Sequence, residues 1–308
     1  MNWAGVMPAM TTAFDSNYAV DHSFLAQHCA WLLGNGCTGL VMLGSLGEGA
    51  TIEPDEKIEV LKTAVRVANG KAPIVAAISS LSTSAAVKLA QKAEQVGCQG
   101  LLVLPPYIYS TDWREMKHHV SSIIAATQLS CMLYNNPISY TTDFLPEQIA
   151  ELARQHDNLH AVKESSSDVR RVAAIRALLD DRLAVFVGVD DVIVESIGAG
   201  AKGWIAGLVN AFPAESVELF NLAKDGKFEE AYTLYRWFLP LLRMDTLPKL
   251  VQYIKWVQGE LSVGSPRVRA PRLELEGTEL AYAQQTLRTA LQNRPKINQV
   301  AFSTFKGA

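Results

Sequence analysis

Asn35-Gly36-Cys37-Thr38-Gly39-Leu40-Val41-Met42-Leu43 decides the fold, because its plan recurs along the chain. Gly97-Cys98-Gln99-Gly100 leads into Leu101-Leu102-Val103-Leu104, and Gly200-Ala201-Lys202-Gly203 leads into Trp204-Ile205-Ala206. In each, one glycine can end a helix in the left-handed conformation and a second opens a short apolar run. Runs that are apolar on both faces suit parallel strands covered by helices. The plan is one βα unit, repeated.

Outward from these junctions, short apolar runs begin near Gly5, Leu40, Ile74, Leu101, Cys131, Ala161, Ala184 and Trp204. Helix-like periodicity fills the segments between them, as in Asp55 to Val67 and Ser84 to Val96. Glu53-Pro54 suits the start of the first of these helices, and Thr83 or Ser84 is the expected cap of the second. Alternating units over about 210 residues predict a (β/α)8 TIM barrel. A doubly wound open sheet stays as the alternative, because periodicity does not show closure. After Asn210 the pattern turns helical only, over Pro213 to Lys224, Lys227 to Arg243, Pro248 to Gln258 and Thr278 to Gln292. Ser262 to Gly277, with Pro266 and Pro271, reads as a connecting loop. We therefore assign residues 1–212 to a barrel carrying the active site and 213–308 to a C-terminal helical extension packed on it. No Gly/Ser linker separates the two.

Hydrophobic residues make up 49% and charged residues 19%, which supplies a large core and argues against disorder. The net charge of −3 is spread without a basic block, so nucleic acid is not an expected partner. Met1 to Phe14 lacks the basic lead and cleavage pattern of a signal peptide, and no apolar run is long enough to span a membrane. Cys29, Cys37, Cys98 and Cys131 form no CxxC pair and read as reduced core residues, which makes a cytoplasmic setting the expectation.

In such barrels the reactive groups stand at the carboxyl ends of the strands. Those ends here are Gly44-Ser45-Leu46-Gly47-Glu48, Pro105-Pro106-Tyr107, Tyr134-Asn135-Asn136-Pro137, Lys163-Glu164-Ser165 and Gly188-Val189-Asp190-Asp191. Lys163 ends the run Leu159-His160-Ala161-Val162, so its ammonium should be partly desolvated and its pKa lowered. A neutral amine attacks a carbonyl or imine carbon. Residue type alone does not single it out, since most lysines reach solvent. Tyr134 reads either as a core aromatic or as a proton-moving phenol. The Gly44 to Gly49 loop can cradle a carboxylate on backbone N–H groups, and it is neither a P-loop nor a dinucleotide fingerprint. Asp190-Asp191 lacks a neighbouring histidine and suits a helix cap at least as well as a metal. His118 and His119 point apart on a predicted helix, and Met132 reads as core filler. No metal and no cofactor is expected.

Gly44-Ser45-Leu46-Gly47-Glu48, Tyr134-Asn135-Asn136-Pro137, Ala161-Val162-Lys163-Glu164-Ser165 and Gly188-Val189-Asp190-Asp191, in this order, resemble the dihydrodipicolinate synthase and N-acetylneuraminate lyase superfamily of class I aldolases. The resemblance covers nearly the whole chain. It implies that Lys163 is the Schiff-base lysine, Tyr134 the general acid and base, and Ser45 a hydroxyl of the proton relay. It implies that Tyr107 is offered across a subunit interface and that Ser45 and Leu46 hold the substrate carboxylate. Gly47, Ser139, Ser165, Gly188, Asp190 and Ile205 are the further substrate-binding positions it suggests. A homotetramer, a dimer of dimers, is the assembly it implies.

Two departures bear on the substrate. Synthases of dihydrodipicolinate carry an arginine two residues after the proline of the Tyr-Asn-x-Pro motif, where Ser139 stands here. Serine cannot replace a bidentate arginine–carboxylate pair. Leu46 replaces a hydroxyl residue, and with Pro106 and Ile138 it predicts a small, apolar pocket. The pattern, with Tyr134-Asn-Asn-Pro-Ile-Ser-Tyr and Asp112-Trp113-Arg114-Glu115-Met116, is most similar to the branch acting on 1-pyrroline-4-hydroxy-2-carboxylate in hydroxyproline breakdown. The expected reaction is deamination of that cyclic imine to 2,5-dioxopentanoate and ammonia. The alternatives are cleavage or dehydration of another small 2-oxo acid such as a 2-keto-3-deoxy sugar acid, N-acetylneuraminate lyase, 4-hydroxy-tetrahydrodipicolinate synthase, a metal-dependent aldolase resting on Asp190-Asp191, and a non-catalytic binding barrel.

Overall fold

The computed structural model describes residues 1–106 and 111–302. Its strands are β1 (Gly5–Pro8), β2 (Leu40–Met42), β3 (Ile74–Ile78), β4 (Gly100–Val103), β5 (Ser130–Asn135), β6 (Leu159–Glu164), β7 (Ala184–Val187) and β8 (Gly203–Ala206). They begin close to the predicted starts, and the largest difference is β6, which opens at Leu159 rather than Ala161. All neighbours pair in parallel, in the order β1-β8-β7-β6-β5-β4-β3-β2. Thr38 N donates to Val6 O and Met10 N to Val41 O, each at 2.9 Å, so β1 meets β2 and the sheet closes. That excludes the open doubly wound alternative. The helix-ending glycines at the recurring junctions do adopt left-handed φ, +93° at Gly36, +98° at Gly97 and +104° at Gly200.

Successive strand residues face opposite sides of the barrel wall. Val75, Leu102, Met132, Ala161, Phe186 and Ile205 form the inner cluster. Their neighbours Ile74, Leu101, Leu133, Val162, Val185 and Trp204 belong to the outer core that the helices cover. Both faces are thus apolar, which is why the strands read as unbroken apolar runs. Trp3 plugs the amino-terminal floor, donating from Nε1 to Ser130 Oγ at 2.7 Å and meeting Phe186 edge-on at 6.1 Å. With the floor filled, the polar inward side chains gather at the carboxyl-terminal mouth.

The outer helices are α1 (His22–Gly34), α2 (Pro54–Ala68), α3 (Thr83–Val96), α4 (Trp113–Ala125), the single turn α5 (Pro137–Tyr140), α6 (Pro146–Gln155), α7 (Arg170–Leu179) and α8 (Ile193–Gly198). Ser82, rather than Thr83 or Ser84, caps α3, accepting from Ala85 N at 3.2 Å. At α2, Glu53 N donates to Glu56 Oε2 at 3.0 Å. Helix α9 (Pro213–Lys224) packs on α8 and β1 and so completes the eighth βα unit. The helices beyond it are α10 (Phe228–Leu242), α11 (Leu250–Glu260) and α12 (Gly277–Gln292). Between α10 and α11 the 3-10 turn Arg243–Thr246 reaches the barrel mouth. No helix among the described residues is long and apolar enough to cross a membrane.

Gly203 has no side chain because the Phe186 ring occupies its place; a Cβ there would lie 2.2 Å from the ring. Gly203→Ala should therefore destabilise the protein by about 2 kcal/mol or more through overpacking. Gly198→Ala, where nothing lies within 4 Å, should be neutral or mildly stabilising. Urea midpoints of the two variants check this, and equal midpoints would contradict it.

Candidate active site

Lys163 sits near the end of β6 with its side chain inside the barrel, 7% exposed. Its Nζ lies 4.2 Å from the centroid of the Tyr134 ring on the neighbouring strand, with which β6 is in register at this pair. Burial holds its pKa below that of a free lysine, and the acidic charge of Asp245 opposes that shift. No ion pair neutralises it among the described residues. Room for the side chain comes from Gly188 on the next strand end. A Cβ there would stand 2.3 Å from Lys163 Cε and 2.1 Å from Ser165 Oγ.

Tyr134 is also buried, and burial raises its phenol to about 12. Its hydroxyl accepts from Asn136 Nδ2 at 3.0 Å. The Asn136 carbonyl caps α5 by accepting from Ser139 N at 3.0 Å, with Pro137 at the first helical position. This one turn carries Tyr140 to Ser45, and the two hydroxyls are hydrogen-bonded. Tyr140 meets Tyr134 edge-on at 5.7 Å. Asn135 holds the strand end in place, donating to Asp143 at 3.1 Å and Glu164 at 3.0 Å and accepting from Phe144 N at 2.9 Å.

The loop after β2 is backbone-strained, with Leu43 at φ +66° and Glu48 at φ +56°. A buried ion pair holds it. Lys255 on α11 contacts Glu48 Oε1 at 2.7 Å and donates to Thr12 O at 2.8 Å, while Arg269 N donates to Glu48 Oε2 at 2.9 Å. Both charged side chains are almost fully excluded from solvent, 1% and 0% exposed.

These parts surround a cavity of about 440 Å³ at the mouth. Of the residues predicted from sequence, Ser45, Leu46, Tyr134, Ser139, Lys163, Ser165, Gly188 and Ile205 line it. Gly47 does not. It is packed on the Met10 carbonyl, which would lie 2.7 Å from a Cβ. Asp190 does not line it either, because its carboxylate is spent on the backbone beyond β8. It accepts from Trp204 Nε1 at 3.0 Å, Gly207 N at 3.1 and 3.2 Å, and Leu208 N at 2.8 Å. Tyr107 lies outside the described residues. Asp191 faces Arg243 at 3.5 Å, and His119 bonds Thr83 Oγ1 at 3.0 Å. Among the described residues no group of three His, Cys, Asp or Glu is placed to hold a metal. A larger cleft, about 880 Å³, opens at the opposite end of the barrel and contains none of the reactive residues.

Sequence reasoning missed Asp245 and left Tyr140 without a role. Asp245 lines the cavity from the turn between α10 and α11, alongside Thr246, Leu247 and Pro248. Burial and the neighbouring Asp190 push its carboxyl well above the ordinary carboxylate range, against the pull of Lys163. An acid between two apolar helices was the available signal, but nothing in its spacing points at a barrel mouth. The assembled site is thus a buried amine beside a high-pKa phenol, with two hydroxyls leading outward and an acid above.

Residues 2–291 match the Dihydrodipicolinate synthetase family. The chain belongs to that family. A relative from Macrococcus caseolyticus, named 4-hydroxy-tetrahydrodipicolinate synthase, is 30% identical over 287 residues, 91% of this chain and 95% of its own. The solved structure of a putative dihydrodipicolinate synthetase from Pseudomonas aeruginosa superposes with TM-score 0.89 at 29% identity, covering 94% of this chain and all of its own. A protein described as the first monomeric dihydrodipicolinate synthase variant shares the fold at TM-score 0.88 and 24% identity, over 94% of this chain and 97% of its own.

Two expectations follow from the geometry. Because burial favours the neutral amine, Lys163 should be nucleophilic at a pH where a free lysine, at 10.5, is still protonated. The rate of borohydride trapping of pyruvate against pH should have its acid limb below 10.5; a midpoint at or above that value would remove the desolvated amine. Lys255→Met leaves the buried Glu48 with only the longer contact to Arg272, at 3.9 Å, as counter-charge and should cost about 3 kcal/mol, read as a lowered denaturation midpoint. A loss under about 1 kcal/mol would show that the ion pair does not anchor the loop.

Proposed function

We propose that this chain is a Schiff-base-forming lyase acting on a small 2-oxo acid or cyclic imine. The placement of the Lys163 amine carries the reading: it is enclosed in the mouth, free of an ion pair among the described residues, and beside the Tyr134 ring. Nζ attacks C2 of the substrate, and loss of water, or opening of a ring, leaves the carbon bound to lysine as an imine. Tyr134 gives a proton to the departing oxygen or nitrogen and takes one back from C3. Ser45 and Tyr140 extend that path by their hydrogen bond. The backbone N–H groups of Ser45 and Leu46 receive the substrate carboxylate. The homotetramer expected by resemblance, with Tyr107 offered across an interface, belongs to the same proposal.

Two substrates divide the reading. The names of the similar curated proteins favour 4-hydroxy-tetrahydrodipicolinate synthesis, and they give pyrroline deamination no support. The lining of the site favours pyrroline deamination. Among the described residues that line the cavity there is one lysine, Lys163, one acid, Asp245, and no arginine. A dicarboxylate product would have no guanidinium at Ser139 to pair its second carboxylate. The hydroxylated pyrroline carries one carboxylate, which the loop after β2 accommodates. Deamination of that compound is the finer proposal, and synthesis of the dipicolinate precursor is the second reading.

Borohydride reduction in the presence of pyruvate should add a covalent mass to the wild type and none to Lys163→Ala. Tyr134→Phe should lower turnover about 10²–10⁴-fold. Ammonia released from 1-pyrroline-4-hydroxy-2-carboxylate identifies the deaminase, whereas condensation without ammonia identifies the synthase. An unchanged adduct in Lys163→Ala would overturn the central assignment.

A further inference from the structure

Two acids stand near Lys163, and the fold uses them differently. Asp190 is saturated by the four backbone and indole hydrogen bonds described above. Asp245 receives no hydrogen bond from any described residue. Its carboxyl passes over the end of β8 at Gly207, where a Cβ would fall 2.1 Å from Oδ1 and 2.7 Å from Cγ. It is half-buried, and it lines the cavity with Lys163, Tyr134 and Ser165. Ser165 Oγ, buried in the same wall near the Tyr134 hydroxyl, has no hydrogen-bond partner of ordinary geometry among the described residues. A half-buried carboxyl on the cavity wall, with no donor among the described residues, is open to a hydrogen bond from whatever fills the cavity. The cavity is where that partner arrives.

We propose that Asp245 is a catalytic residue that selects a hydroxyl two carbons beyond the Schiff-base carbon and protonates it as it leaves. This deepens the Schiff-base reading of Lys163 and rests on it. The substrate class it defines is a 4-hydroxy-2-oxo acid or its cyclic imine. In the step, Tyr134 removes the C3 proton, and the C–H electron pair moves toward the iminium nitrogen to give an enamine. The enamine returns those electrons, forming C3=C4 and breaking C4–O. The Asp245 proton goes to the departing oxygen, water leaves, and the carboxylate regains a proton from water in the cavity. No oxidant or reductant enters. Burial and Asp190 raise the carboxyl's pKa well above the usual carboxylate range, against the pull of Lys163, which is the direction such a donor needs.

The test compares wild type, Asp245→Asn and Asp245→Leu with two probes, pyruvate and 4-hydroxy-2-oxopentanoate. Borohydride trapping over a concentration series measures the preference for the hydroxylated acid as a ratio to pyruvate. Mass spectrometry separates intact, dehydrated and pyruvate adducts. The wild type should prefer the hydroxylated acid by about tenfold, and Asp245→Leu should bring the ratio near one. Asp245→Asn, which still accepts a hydrogen bond, should keep most of the preference but form the dehydrated adduct about 100-fold more slowly. A merely structural role would depress both probes together and leave the ratio intact, which overturns the proposal. A wild-type ratio near one, or undiminished dehydration in Asp245→Asn, overturns it as well while leaving Lys163 in place. Absence of any adduct in the wild type would instead remove the Schiff-base reading, and this inference with it.

Discussion

An amine enclosed by a barrel wall must shed its charge or find an anion, and that constraint organises this molecule. Lys163 is surrounded first by apolar barrel and by the face of Tyr134, and only more remotely by acids. Desolvation therefore outweighs the Coulombic pull, and the amine gives up its proton more readily than a free lysine does. The same burial raises the Tyr134 phenol, so one environment makes the amine easier to deprotonate and the phenol harder, and their pKa values move apart. Gly188 makes the arrangement possible by leaving space for both the lysine stem and Ser165.

The helices after the barrel are part of the site. Lys255 ties α11 to the strained loop after β2 through Glu48, over more than two hundred residues of chain. A buried ion pair contributes little net stability over an apolar pair, but breaking it is expensive, so it holds the loop in one position. A few residues before α11, the turn that carries Asp245 closes over the mouth. Ser45, at the front of the anchored loop, faces Tyr140 from the turn after β5. Positions set by the barrel, the β5 turn and the extension thus converge on one cavity.

Much of this was legible from local sequence. The repeated glycine-flanked apolar runs located the strands, since burial on both faces leaves a composition that neighbouring residues reveal. The motifs ending β2, β5, β6 and β7 pointed to Lys163, Tyr134 and Ser45 through their resemblance to a known family, and the barrel brings those strand ends together at one cavity. The same reasoning misplaced Gly47 and Asp190. It shows which residues end a strand, but not that Met10 O packs on Gly47 or that Gly207 and Leu208 consume the Asp190 carboxylate.

By itself the sequence determined the βα repeat and the positions of the strands along the chain, and it placed Lys163 and Tyr134 at strand ends, because each depends on periodicity or on local composition. Tertiary structure alone decided closure of the sheet, the partner of Ser45, the anchoring of Glu48 and the arrival of Asp245 at the mouth. Those features depend on contacts between segments far apart in the chain. Such contacts leave no trace in spacing, since any acid or tyrosine on a turn looks alike until packing shows what it faces.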